Sequence, residues 1–146
     1  MNAERFVYVT YIASTPDKVF RALLDGELTR QYWKHTNESD WKPGSKWRSV
    51  ADDGKGTVRI VGTVAEMVPN RRLVLTWAAG TEAADPAQHS RVAIDLETVG
   101  AMVRVTVTHE ELGPDMARAV TNGWPRVLSS LKSFLETGHP LDTWAS

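Results

Sequence analysis

Apolar residues in this chain recur at every second position through the middle and at every third or fourth position near the end. A period of two places successive side chains on opposite faces of a strand, and a period near 3.6 places them on one face of a helix. Period-two segments run over Trp47–Val50, Thr57–Val68, Arg72–Ala78, Arg91–Thr98 and Met102–His109. Leu73, Leu75 and Trp77 share one face. Val92, Ile94 and Leu96 oppose Ala93, Asp95 and Glu97, and Val103, Val105 and Val107 oppose Arg104, Thr106 and Thr108. With Gly100 turning the chain between them, the last two segments predict an antiparallel hairpin with one wet face. Asp52-Asp53-Gly54-Lys55-Gly56 and Pro69-Asn70 punctuate the earlier strands as turns. Beyond residue 115 the pattern turns helical. Trp124, Val127, Leu128, Leu131, Phe134 and Leu135 form a stripe wider than a surface helix needs. Gly138 and Pro140 stop it. Pro125 cannot donate to the carbonyl four residues back, so Gly123-Trp124-Pro125 predicts a kink or a split.

Ahead of this block, Arg5–Ile12 is rich in β-branched and aromatic residues and reads as a first strand. Thr15-Pro16-Asp17 reads as a helix start, with Thr15 as cap and Val19, Phe20, Leu23 and Leu24 following at helical spacing. Asp25-Gly26 interrupts, and Glu27–Trp33 makes a second short helix. The expected class is therefore α+β. A curved six-stranded antiparallel sheet wraps a long C-terminal helix, with two short helices after the first strand. Such a sheet leaves room for a cavity against the helix. At 146 residues, residues 1–146 suit one domain with a core of its own.

Composition narrows the chemistry. Cysteine is absent, which removes disulfides, thiol catalysis and thiolate metal sites. Hydrophobic residues make up 42% and charged residues 24%, an ordinary globular mix. The 17 basic and 18 acidic residues are interspersed and give a net charge of -1, so neither nucleic acid nor an anionic membrane is expected as a partner. No apolar run approaches the ~20 residues of a membrane span. Met1-Asn2-Ala3-Glu4-Arg5 lacks the start of a signal peptide, and the expected compartment is the cytoplasm. Without secretion, the sequon Asn37-Glu38-Ser39 carries no meaning.

Several local motifs in this order resemble one family. They are Phe6-Val7-Tyr8-Val9 leading into Thr15-Pro16-Asp17-Lys18-Val19-Phe20, then Gln31-Tyr32-Trp33 and Pro69 through Trp77. Leu96-Glu97-Thr98, Leu112, Gly123 through Lys132 and Leu135-Glu136-Thr137-Gly138 complete the set. Together they resemble the activator of heat-shock protein 90 ATPase-like family, within the START-like (SRPBCC, polyketide-cyclase) superfamily. The resemblance covers almost the whole chain. It implies the helix-grip fold and a cavity for a small hydrophobic molecule. The eukaryotic namesake has two domains, of which only the second has this fold, so the name alone does not carry the chaperone activity.

The residues themselves offer little catalytic machinery. His109-Glu110 opens like a zincin motif, but Gly113 stands where the second ligand belongs. The remaining histidines, His35, His89 and His139, are scattered, and no metal or cofactor is expected. No Gly-x-Ser-x-Gly elbow exists, and Gly54-Lys55-Gly56 is a turn rather than a phosphate loop. Asp95 and Glu97 share the solvated face. The polar residue of most interest is Arg59, flanked by Val58 and Ile60. It faces solvent if the strand is regular; turned inward, it could hold a carboxylate or phosphate. The expectation is a non-catalytic binding protein. Its ligand wall would comprise Tyr32, Trp33, Trp47, Trp77, Ile94, Val105, Trp124, Leu128 and Leu131, with Arg59 at the polar end. One alternative is a co-chaperone-like or regulatory interaction module with an exposed apolar patch near Trp41 or Trp144; its partner would be a chaperone or other protein, and a homodimer stays open. A third reading is a cyclase- or hydrolase-type cavity enzyme using Arg59, His35 or a tyrosine as acid or base.

Overall fold

The computed structural model describes residues 4–82 and 89–142. The elements follow in the order β1 (Glu4–Ile12), α1 (Pro16–Leu24), α2 (Gly26–Trp33), β2 (His35–Ser39), β3 (Lys46–Ala51), β4 (Val58–Val68), β5 (Arg72–Ala79), β6 (Ser90–Val99), β7 (Met102–Leu112) and α3 (Pro114–Thr137). All strands are antiparallel in one sheet ordered β1-β7-β6-β5-β4-β3-β2. β2 to β7 form a meander, and β1 closes against the last strand. Leu73, Leu75 and Trp77 of β5 and Val92, Ile94 and Leu96 of β6 are buried, as alternation requires. Val103, Val105 and Val107 of β7 are buried with them. Across this face lie Val120, Trp124, Val127, Leu128 and Leu131 of α3 and Val19, Phe20 and Leu23 of α1, in one core.

The sheet has seven strands rather than the expected six. The additional strand is β2, His-Thr-Asn-Glu-Ser, which has no apolar alternation to reveal it. Polar groups hold its inward face instead. The buried Asn37 donates its N–H to Thr29 Oγ1 at 3.0 Å, and its carbonyl Oδ1 accepts from Ser49 Oγ at 2.7 Å. The Thr29 hydroxyl donates in turn to the Gly26 carbonyl. Each of these buried polar groups therefore finds a partner, which is the condition for burying it cheaply.

The cap bond expected of Thr15 and a split of the long helix at Pro125 are also corrected. Thr15 occupies the N-cap position of α1 but makes no side-chain cap bond; its hydrogen bond to Asp17 instead holds that carboxyl below its ordinary range. α3 runs unbroken for 24 residues with Pro125 inside it. Trp124 before the proline and Val127 and Leu128 after it are all buried, so packing on both sides holds the helix together despite the lost hydrogen bond.

Candidate functional site

A cavity of about 290 Å³ opens between α3 and the β2–β5 part of the sheet. Trp33, Trp77 and Trp124 form its aromatic wall. Their ring centroids lie 5.3 Å apart for Trp77–Trp124, 5.7 Å for Trp33–Trp124 and 6.2 Å for Trp33–Trp77. From α3 come Met116, Ala119, Val120, Gly123 and Val127, and from the strands Ile60 and Ala79. Only two lining residues carry polar side-chain groups besides the indoles, His35 and Arg59.

Arg59 reaches this cavity because of a defect in the ladder. β3 and β4 pair Ser49 with Ile60, then Val50 with Val58, so Arg59 is the extra residue of a β-bulge. A bulge re-aims a side chain that regular alternation would send to the other face. Arg59 and Ile60, neighbours in sequence, therefore line the same cavity. Arg59 remains exposed and sits at the mouth. His35, from β2, lies deeper, edge-on to Trp33 at 6.0 Å. Its Nδ1 is buried without a hydrogen-bond partner. Burial lowers the imidazole's pKa, the Trp33 backbone opposes, and the nearby Arg59 charge lowers it further. The ring is thus neutral at pH 7.

Beneath the tryptophans lies a second histidine. His109 is fully buried on β7. Trp124 Nε1 donates to its Nδ1 at 3.1 Å, and its Nε2 lies 2.8 Å from Ser90 Oγ. An indole can only donate, so Nδ1 must be the bare nitrogen and Nε2 must carry the hydrogen. Nε2–H therefore donates to Ser90 Oγ, whose hydroxyl donates to the Trp77 carbonyl at 2.9 Å. Burial pushes the His109 pKa down to about 4. A serine beside a histidine suggests a nucleophile and its base, but here the histidine gives a hydrogen to the serine and cannot remove one. The chain Trp124–His109–Ser90–Trp77 ties two cavity-wall tryptophans to β6 and β7.

The sequence matches the family model described as "Activator of Hsp90 ATPase homolog 1-like protein" over residues 13–136. The chain belongs to this family. Its structure agrees with solved structures of the same helix-grip, START-like fold. Protein MLL2253 from Mesorhizobium loti is 26% identical, with a TM-score of 0.75 over 91% of this chain and 97% of that one. The Aha1 dimer from Colwellia psychrerythraea is 24% identical, with a TM-score of 0.71 over 92% and 98%. CalU16 from Micromonospora echinospora is 20% identical, with a TM-score of 0.74 over 93% and 78%. No curated protein matches the chain.

In this activator-of-Hsp90-ATPase-like chain, four of the residues expected at a ligand wall do line the cavity: Trp33, Arg59, Trp77 and Trp124. The others lie outside it. Tyr32 is fully buried, its hydroxyl donating to the Ala22 carbonyl at 2.8 Å, and burial raises its pKa. Trp47 crosses β4 to donate to the Thr76 carbonyl. Ile94, Val105, Leu128 and Leu131 pack in the core. The sequence reading missed Ile60, Ala79, Met116, Ala119, Val120, Gly123 and Val127 as lining residues. Met116, Ala119, Val120 and Gly123 fall on the N-terminal half of α3, and Val127 belongs to the stripe itself. His35 had no motif to mark it. Asp95 and Glu97 stand on the outer face as expected, paired with Arg72 and Arg104. Trp41 is half-buried, packs on Trp47 at 6.4 Å and lines a shallow, mostly apolar depression with Phe20, Leu24, Met67 and Pro69; Trp144 lies outside the described residues. A second apolar stripe is exposed at Val7, Val9 and Tyr11 of β1. Among the described residues no group of side chains could hold a metal ion, and no helix is long and apolar enough to cross a membrane.

Proposed function

We propose that this protein binds one small, mostly apolar molecule between α3 and the sheet, without transforming it. The cavity carries this reading: about 290 Å³, walled by Trp33, Trp77 and Trp124 and open at one end. Ligand sites usually span ~300–1,000 Å³, so the volume suits one or two fused rings rather than a lipid. The non-catalytic part is supported by what lines the cavity. His35 has no carboxylate in the lining to orient it, and no hydroxyl side chain stands among the lining residues. Catalytic bases and nucleophiles ordinarily come with such a supporting group.

Gly123 offers a direct test. A Cβ added there meets nothing within 4 Å, and the residue lines the cavity in mid-helix. Gly123→Leu fills the cavity while gaining helix propensity, of the order of 0.5–1 kcal/mol. The expected result is loss of 2-methylnaphthalene binding by calorimetry, with thermal stability equal to wild type or higher. Saturable binding that survives this variant would contradict the reading.

A second reading rests on the β1 stripe. β1 is an edge strand, with Val7, Val9 and Tyr11 between 38% and 48% exposed on its outer face. The Colwellia psychrerythraea relative is described as a dimer. Pairing of two copies along β1 would cover both the open edge and the stripe. If so, Val9→Lys shifts the mass seen by light scattering from dimer to monomer; a wild-type monomer would end this reading.

A further inference from the structure

The cavity is apolar except at one end, where two nitrogen-bearing side chains lack the partners such groups normally have. Nδ1 of His35 is buried with no hydrogen bond, a state that costs free energy unless something supplies the missing partner. Arg59 is turned into the mouth by the β3–β4 bulge. Among the described residues it has no carboxylate partner, and the group it acts on electrostatically is His35. A cation held beside a neutral imidazole, with no acid between them, leaves a gap of definite chemistry. An anion there would meet the guanidinium fork and an imidazole N–H.

We infer that the ligand is a carboxylic acid: an apolar ring system inserted between Trp33, Trp77 and Trp124, with its carboxylate held by Arg59 and His35 Nδ1. The inference rests on the binding reading above and narrows it. The Trp33 backbone that opposes the effect of burial at His35 leaves Nδ1 without a partner, and a carboxylate beside the ring favours the protonated imidazole, in which Nδ1–H donates to one carboxylate oxygen. Arg59, always charged, donates to the other oxygen. The carboxylate stays at the solvent-facing end, where Arg59 is exposed, so it is not stripped of water as it would be in a closed core. A phosphate carries more charge, which one arginine does not balance. A neutral ligand of the same shape leaves His35 Nδ1 and Arg59 as they are.

The test compares three probes of one shape by calorimetry: 2-naphthoic acid, 2-acetylnaphthalene and 2-methylnaphthalene. The wild-type protein is expected to bind the acid about ten-fold tighter than either neutral probe, the effect of one charge-assisted hydrogen-bonded pair. Arg59→Met and His35→Phe should each remove most of that preference, read as the ratio of acid to methylnaphthalene affinity within each variant. Equal affinity for all three probes in the wild type would overturn the carboxylate inference and keep the apolar cavity. An acid preference that persists in both variants would overturn the assignment of these two residues. Failure of every probe to bind would overturn the cavity reading itself.

Discussion

His35 and His109 show how burial and partners give one residue type two roles. Both are held neutral by burial, yet only His109 has both ring nitrogens engaged. Its protonation would set an N–H on Nδ1 against the Trp124 N–H. Its folded-state pKa of about 4 lies below the ordinary 6.5. Below pH 6.5 the unfolded chain takes up a proton that the folded chain refuses, so stability falls as pH drops toward 4. At about 1.4 kcal/mol per pH unit the full loss is about 3 kcal/mol. Urea midpoints measured from pH 7 to pH 4 should show this slope, and His109→Phe should flatten the His109 part of it. An unchanged slope in the variant would mean that His109 is not the group responsible. From sequence, His109 was readable only as structural, because its partners Ser90 and Trp124 lie 19 and 15 residues away. Arg59 was readable as a candidate, but not the face it turns to. Its direction depends on a bulge, and bulges leave no mark in an alternating pattern.

Among the elements, those with a strong period were readable and those held by polar groups or by tertiary packing were not. β4 to β7 and α3 fall where the apolar pattern put them, whereas β2 is held by Asn37, Ser49 and Thr29 and has no such pattern. The paired strands β3, β4 and β5 also depend on one missing side chain. Gly62 sits opposite Trp47, and the indole passes over it to the Thr76 carbonyl. A Cβ on Gly62 would lie 1.8 Å from that carbonyl oxygen and 2.6 Å from Trp47 Nε1. Backbone must move to admit it, so Gly62→Ala should lower stability by about 2 kcal/mol or more, read as a lower thermal midpoint and loss of Trp47 fluorescence burial. A midpoint equal to wild type would show the crossing to be dispensable. Pro125 points the other way. The unbroken α3 carries it at the expense of a bond to the Thr121 carbonyl, and Pro125→Ala should restore that bond. Relief of a penalty of about 3 kcal/mol in full or in part should raise the midpoint; a drop would mean that the proline ring packs better than the helix bond it displaces.

At the scale of the whole molecule, the helix-grip arrangement follows from the order of periods alone, but the division of its interior does not. Trp33, Trp77 and Trp124 line a cavity, while Trp47 and Tyr32 fill the core beside it. All five occupy inward positions on amphipathic elements, and which of them meets empty space depends on how far α3 stands from the sheet. Seven strands curl about α3, and α1 and α2 follow β1 in the chain. The four buried tryptophans then become site-specific reporters of what enters. The most direct measurement is a proton–nitrogen correlation spectrum of the indole N–H groups during titration with 2-naphthoic acid. The expected result is saturable, stoichiometric shifts of the Trp33, Trp77 and Trp124 signals, with Trp41 moving little. Shifts confined to Trp41 and Trp47, or no shift at saturating probe, would contradict a ligand site between α3 and the sheet.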